Sequence, residues 1–97
     1  MAVYMVAAIR VTDAAGYPEY ARLAGPAVEQ YGGRYLVRGG AMETLEGSID
    51  ANRLVVIEFP SREQATKWWT SPEYEAAKLI RRAVSTGDFA LVEGYNG

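Results

Sequence analysis

Residues 31–40, YGGRYLVRGG, limit what this chain can fold into more than any other segment. Gly32 and Gly33 are predicted to end a helix, because glycine readily takes the left-handed conformation that follows many last helical turns. The apolar residues after them predict a strand. Gly39 and Gly40 predict a bulge or a sharp bend in that strand, since glycine weakens regular strand structure. A helix is therefore expected to give way to an irregular strand in the first half of the chain.

Four stretches have the apolar, β-branched composition of strands, at residues 3–11, 34–38, 53–59 and 88–94. The second strand is expected to resume pairing at residues 42–45, and residues 46–52 are expected to form a surface loop. The first and third strands are apolar on both of their alternating faces, which predicts that both faces are buried.

Two helical regions separate the strands. The first is predicted to begin at residues 12–13 (TD), whose side chains suit an N-cap. Residues 25–26 (GP) are expected to kink or split this helix, because proline removes a donor and clashes with the preceding turn. The second region begins at residues 61–64 (SREQ), which match a capping box, and restarts at residues 71–72 (SP).

The resulting β-α-β-β-α-β order is typical of a ferredoxin-like α+β sandwich, in which an antiparallel four-stranded sheet carries its helices on one face. We expect a single domain over residues 1–97. Because the helices can cover only one face, the other apolar face needs its own cover. A second copy of the sheet is the simplest cover, and it predicts a homodimer in which two sheets form a barrel. The alternative is a monomer with a ligand or a tail on that face.

The composition restricts the chemistry. A formal net charge of -2 gives no electrostatic case for binding nucleic acid or an anionic membrane. The chain has no cysteine and no histidine, so it lacks a thiol nucleophile, the commonest general base and the usual ligands of zinc and haem. The apolar N-terminus is too short to span a bilayer and lacks a basic region. We therefore expect a cytoplasmic protein without a metal, a cofactor or a membrane anchor.

An ordered set of motifs also resembles a known family. The set is YGGRYLVRGG at residues 31–40, LEG at 45–47, VVIEFPS at 55–61, SPEY at 71–74 and VEG at 92–94. In this order, and over nearly the whole chain, the motifs resemble the domain-of-unknown-function family DUF1330. The resemblance implies a dimeric α+β barrel, the superfamily that also contains small monooxygenases, haem-degrading enzymes and stress-response barrel proteins. It implies no established reaction.

Arg38 and Glu58 are the first candidate site residues. Counting alternate residues places both on the face that would form the barrel interior, on strands expected to be hairpin partners. One interpretation is a buried ion pair that fixes the sheet register or the dimer. The other is that Arg38 anchors a carboxylate or phosphate of a ligand, with Glu58 as a pocket acid or base.

Aromatic residues are candidates for the wall of a ligand site. Tyr4, Trp69 and Tyr74 offer flat apolar area with a polar tip. Adjacent helical residues point about 100° apart, so one of Trp68 and Trp69 is expected to pack under the sheet and the other to line a cleft or the dimer rim. Ordinary core packing is the alternative for each of these residues.

Glu43 is a second candidate acid or base, because it lies near Glu46 and paired acids can serve acid–base chemistry. The alternative is a solvated edge, or a salt bridge to Arg53. Two functions remain open. The first is a cofactor-independent small-molecule enzyme, oxygenase- or isomerase-like, that binds a small anionic or aromatic ligand. The second is a non-catalytic ligand-binding or structural homodimer, which the absence of histidine and cysteine favours.

Overall fold

The computed structural model of the protein describes residues 1–95 and has four strands and three helices in that part of the chain. Their order is β1 (Val3–Val11), α1 (Tyr17–Gln30), β2 (Arg34–Arg38), β3 (Arg53–Phe59), α2 (Arg62–Trp69), α3 (Pro72–Val84) and β4 (Ser85–Glu93). The strands form one antiparallel sheet in the order β2-β3-β1-β4. The predicted ferredoxin-like α+β fold is confirmed, with the second helical region divided into α2 and α3.

The core lies between the sheet and the helices. Alternate residues of β1 and β3 are buried there, and they include Met5, Ala7, Ile9, Val55, Ile57 and Phe59. Their neighbours in the same strands point to the opposite side, which we call the open face, and Val6, Ala8, Leu54 and Val56 are only half-buried there. The helix-side face of the central strands is therefore buried, and burial of the apolar open face stays a prediction. Within residues 1–95 no helix combines the length and apolarity needed to cross a bilayer.

Helix α1 differs at its start and middle from what the sequence predicts. Asp13 accepts hydrogen bonds from the backbone N–H groups of Ala15 (3.1 Å) and Gly16 (3.3 Å), so it stabilises a turn ahead of the helix and does not cap it. Pro18 fits the first turn, where its missing N–H costs nothing, and it opposes an earlier start. The helix continues unbroken through Pro26, so the predicted split is wrong. The buried Ala24, Ala27 and Val28 hold this stretch in the core.

The other helix boundaries follow the sequence. Gly32 has φ +82°, and the Gly33 N–H donates to the Val28 carbonyl at 2.9 Å, which confirms the predicted glycine end of α1. Ser61 caps α2 by accepting from the Gln64 N–H at 3.1 Å. The Gln64 amide donates instead to the Tyr31 carbonyl at 3.0 Å, so the capping box is not reciprocal and α2 is tied to the end of α1. Ser71 caps α3 as predicted.

A bulge in β2 decides which side each of its residues faces. Arg34 pairs with Glu58 and Tyr35 with Ile57, but Val37 then pairs with Val56, so Leu36 is an extra residue. Beyond the bulge every side chain lies on the face opposite to the one that uninterrupted alternation gives. The chain leaves the sheet at Gly39, which has φ +73°. The Gly39 N–H still donates to the Leu54 carbonyl at 2.9 Å, but pairing ends there. Residues 42–45 are not a strand, so that prediction is wrong.

Candidate functional site

Arg38 lies on the helix side of the sheet. Its Nη2 donates to the Ala21 carbonyl of α1 at 3.0 Å, and its Cζ lies 4.3 Å from the centroid of the Tyr35 ring. The guanidinium also passes Gly25, where an added methyl carbon would lie 3.4 Å from Nη2. The prediction that Arg38 and Glu58 share a face is wrong, because the Leu36 bulge reverses the alternation between Arg34 and Arg38. Whether Arg38 binds a ligand stays a prediction.

Glu58 lies on the open face with Tyr4 and Arg34. Its carboxylate accepts from the Tyr4 hydroxyl at 3.2 Å and from Arg34 Nη2 at 2.9 Å. The hydrogen bond to Glu58 raises the pKa of the Tyr4 hydroxyl, because ionisation would place two anions together. The structure therefore brings two predicted site residues together, but on the side of the sheet away from Arg38. Arg34, not Arg38, is the ion-pair partner of Glu58.

Arg53 is a site residue that the sequence reasoning missed. It opens β3, its Cζ lies 5.0 Å from the Tyr17 ring centroid, and its guanidinium packs against the backbone of Gly39. Its Nε is buried and has no hydrogen-bond partner among residues 1–95. The signal was available, since Arg53 shares the alternation of the core residues Val55 and Ile57 and therefore faces the helices.

Arg81 is a second missed residue, and it is only 5% exposed on α3. Its Cζ lies 4.0 Å from the Phe89 ring centroid and 6.0 Å from that of Trp69. Its Nε is also buried, without a partner in the described part of the chain. Its helical spacing from Tyr74 and Ala77 placed it on the buried face of the helix, which was the available signal.

Four tyrosines fill the space between these arginines. The Tyr20 and Tyr74 hydroxyls are 2.8 Å apart and both residues are buried, while Tyr17 packs edge-on against Tyr20. Burial raises the pKa of Tyr35 to about 12, and burial together with the Tyr74 contact raises the pKa of Tyr20 well above its usual range. Burial also raises the pKa of Tyr17, partly opposed by Arg53. At neutral pH these three tyrosines are therefore protonated and can donate hydrogen bonds.

A small cavity of about 10 Å³, close to the space of one water molecule, lies between α1 and the sheet, and we call it the arginine–tyrosine cavity. Its polar lining consists of Tyr17, Tyr20, Tyr35, Arg38 and Arg53, and its remaining walls are apolar. No acidic residue lines it. The cavity is therefore rich in donors and positive charge and poor in acceptors, which suits an anion.

The adjacent tryptophans take the separate positions that the sequence predicts. Trp68 is 1% exposed and packs between Phe59 and Tyr74. Trp69 is half-buried and lines a cleft of about 220 Å³ between α2 and β4, which we call the tryptophan cleft. Lys78 Nζ lies 3.8 Å from the Trp69 ring centroid. Tyr74, proposed as a wall residue, is fully buried in the core, so core packing describes its position.

Glu43 and Glu46 are exposed in the irregular segment after β2. Neither lines the cavity or the tryptophan cleft, and neither forms a salt bridge to Arg53. Of the described residues, no three histidine, cysteine, aspartate or glutamate side chains lie close enough together to hold a metal ion. The two predicted acid–base candidates, Glu43 and Glu58, therefore both lie away from the arginine–tyrosine cavity.

Known proteins resemble this chain in sequence and in fold. The sequence model of a family described as a domain of unknown function, DUF1330, matches residues 2–95. Comparison with curated proteins yields no significant match. A solved structure of RPA0582, a protein of unknown function from Rhodopseudomonas palustris, aligns at TM-score 0.82 and 21% identity over 99% of this chain and 84% of that one.

Two further solved structures share the fold at lower similarity. SnoaB, a cofactor-independent oxygenase from Streptomyces nogalater, aligns at TM-score 0.65 and 16% identity over 99% of this chain and 95% of that one. Rv0793 from Mycobacterium tuberculosis aligns at TM-score 0.61 and 17% identity over 100% of this chain and 98% of that one. At these identities the likeness establishes a common ferredoxin-like α+β fold.

Proposed function

The chain belongs to the DUF1330 family, and we propose that it is a small-molecule enzyme that holds the acid group of a compact, partly aromatic organic anion between α1 and the sheet and needs no cofactor. One observation carries the proposal. Arg38 and Arg53 line one cavity on the helix side of the sheet, and Arg81 contacts Phe89 at the border of that cavity. None of the three has an acidic partner among residues 1–95.

The contrast with the other basic residues supports this interpretation. Six of the ten form ion pairs with carboxylates, namely Arg10, Arg22, Arg34, Arg62, Lys67 and Lys78. Arg53 and Arg81 instead contact aromatic rings and bury Nε groups that lack acceptors. Burying a charge without a partner is costly, and such groups are concentrated at functional sites. A carboxylate or phenolate would supply both the missing charge and the missing acceptors.

The same residues suggest a type of chemistry. Arginines and protonated tyrosines stabilise an oxyanion, such as the enolate or phenolate form of a bound substrate. In an oxygenation of that kind the substrate arrives as its anion, with its proton already lost to solvent, and this anion is oxidised while O₂ is reduced and adds to it. The protein then needs to supply only the binding site, the orientation and the exclusion of water. SnoaB, which shares the fold, is a cofactor-independent oxygenase, and this adds analogy of fold to the argument. Since no acid lines the cavity, Glu58 and Glu43 are not the bases of this proposal.

Binding is tested by calorimetric titration with benzoate and 4-hydroxybenzoate, using neutral benzamide as the matched ligand. The anions should bind and benzamide should not. Arg53→Met and Arg38→Met should each weaken binding roughly 10-fold to 100-fold, since a hydrogen bond to a charged group contributes about 1.5–3 kcal/mol. Arg10→Met is the control, because Arg10 pairs with Asp50 outside the site. Equal binding by the Arg53→Met variant would overturn the anion site.

Catalysis requires a separate measurement. Oxygen uptake by the metal-free protein should rise when enolisable or phenolic aromatic acids are added, and the Arg53→Met variant should lose that activity. Binding that depends on Arg53, without turnover of any such acid, would favour the non-catalytic ligand-binding alternative.

We also propose that two copies pair through the open face as a homodimer. On this face the half-buried Val6, Leu54 and Val56 are continued by Val37 and Val92, which are 37% and 50% exposed. The face is therefore apolar across all four strands, with the Tyr4–Glu58–Arg34 group at one end. A second sheet would bury this surface and complete a barrel.

A further inference from the structure

Phe89 borders three separate spaces. Its side chain lines the arginine–tyrosine cavity, the tryptophan cleft of about 220 Å³, and an open groove at the end of α3 that includes Arg81 and Gly87. It is half-buried on the helix side of β4, paired with Ala7 of β1. Met5 is the other residue, among residues 1–95, that lines both the polar cavity and the apolar cleft, but it is buried in the core, so Phe89 is the solvent-reachable side chain at their border.

Phe89 is held in place by packing contacts alone. Its ring lies 4.0 Å from Arg81 Cζ and 5.8 Å from the Trp69 ring. It makes no hydrogen bond through its side chain, and side chains next to open space change rotamer readily. The preceding residue on the same face of β4 is Gly87, which has no side chain, and the groove beside it is open. A rotamer that turns the ring away from the cavity would place it in this open groove and not over Gly87 itself, where an added methyl carbon would already lie 2.8 Å from the Ala8 carbonyl oxygen.

We infer that Phe89 is a gate, and that the ligand is a planar aromatic acid whose ring lies against Trp69 while its acid group passes Phe89 into the arginine–tyrosine cavity. This inference rests on the proposed anion site. The cavity has room for about one water molecule, so it can take the acid group of an organic anion only when Phe89 moves, and it has no room for the ring. An apolar cavity of about 150 Å³ accepts benzene, so a cleft of about 220 Å³ has room for one substituted ring.

Charge favours the same orientation of the ligand. The residues that line the tryptophan cleft are uncharged, and they include Met5, Trp68 and Leu91. Arg38 and Arg53 line the cavity on the other side of Phe89, and Arg81 lies on the ring itself. When the ring turns away, the guanidinium of Arg81 loses its nearer aromatic neighbour, keeps the Trp69 ring at 6.0 Å, and can bind an oxyanion on the side that Phe89 leaves. The apolar ring of the ligand and its acid group thus each meet a matching environment.

Stopped-flow tryptophan fluorescence with benzoate and 2-naphthoate tests the gate. In the unmodified protein the observed binding rate should level off as ligand concentration rises, at the rate at which the gate opens. Phe89→Ala should remove this plateau and tighten 2-naphthoate binding about tenfold, the gain expected if the open form is about one-tenth populated. Phe89→Leu keeps more of the packing and should raise the plateau. Leu79→Ala, at a position 71% exposed on the outer side of α3, should behave like the unmodified protein.

The outcomes separate the gate from the site. If both Phe89 variants are folded by circular dichroism and bind with unchanged rates and affinities, the gate is wrong. The anion site stands if Arg53→Met still abolishes binding in that case. If no variant binds either acid in a way that depends on Arg53, the proposed function fails and the gate fails with it.

Discussion

Arg38 and Glu58 lie on opposite sides of the sheet although they belong to paired strands, because Leu36 is an extra residue in β2. Arg38 contacts Tyr35 and α1, whereas Glu58 accepts hydrogen bonds from Tyr4 and Arg34 on the open face. The two residues therefore have separable roles.

The first prediction follows from this separation. Glu58→Gln should leave the affinity for benzoate unchanged, because the carboxylate is not part of the arginine–tyrosine cavity. Arg38→Met should weaken the same affinity. Calorimetric titration of both variants measures the difference, and an equal loss in the two variants would mean that they act as one unit.

The Tyr20–Tyr74 hydrogen bond should be detectable as coupling between the two residues. Tyr74→Phe removes one buried hydroxyl and leaves the other without its partner, which should lower the free energy of unfolding by about 1–3 kcal/mol. Tyr20→Phe combined with Tyr74→Phe should cost less than the sum of the single changes, since no unpaired hydroxyl remains. Urea unfolding of the two single variants and the double variant measures this, and additive losses would contradict it.

The two adjacent glycines after β2 should respond differently to alanine. Gly39 has φ +73° and lies against the Arg53 guanidinium, so Gly39→Ala should lower the free energy of unfolding by about 1–2 kcal/mol or more. It should also weaken benzoate binding, because it displaces Arg53. Gly40→Ala is the matched control, since nothing lies within 4 Å of an added methyl carbon there. Similar losses at both positions would show that strain at Gly39 is not the cause.

Stability should fall in alkaline solution. The pKa of Tyr35 is raised from 10.0 to about 12 in the folded chain, so the unfolded chain loses this proton first as the pH rises. The stabilisation is therefore complete below pH 10 and is lost as the pH rises toward 12. Urea unfolding at several pH values should show this slope, and Tyr35→Phe should make it shallower. Tyr95→Phe, at an exposed position, should leave the slope unchanged.

The proposed dimer should depend on the open face. Val56→Asp places a charge at the centre of that face and should convert a dimer to a monomer of 10.6 kDa by light scattering. Leu79→Asp is the control, because Leu79 is 71% exposed on the outer side of α3. A monomer mass for the unmodified protein at micromolar concentration would contradict the dimer.

The sequence predicted the fold well, because apolar periodicity, the glycine end of α1 and the Ser61 and Ser71 caps are local signals. It also predicted that Trp68 and Trp69 would separate. The predicted face of Arg38 was wrong, since alternation cannot locate one extra residue in a strand. The sequence predicted an irregularity at Gly39, but the bulge lies earlier in the strand, at Leu36. The extension at residues 42–45 failed because pairing depends on a partner strand that the local sequence does not encode.

Only part of the candidate site could be predicted from the sequence. Arg53 had the alternation of the core residues of β3, yet a charge at a strand start usually indicates solvent. Arg81 had the spacing of the buried face of α3. Arg38, Arg53 and Arg81 come from three different elements, so their positions around the cavity and Phe89 depend on how those elements pack. No single segment of the sequence predicts that packing.

The extra residue at Leu36 also affects how related chains should be compared. A chain with the same residue types but one residue fewer in β2 would turn its arginine toward the open face and lose a cation from the helix side of the sheet. The number of residues in β2, and not residue identity alone, then decides on which face of the sheet such a protein carries this positive charge. Two sequences that align well across this strand can differ in chemistry if one of them has a deletion at this position.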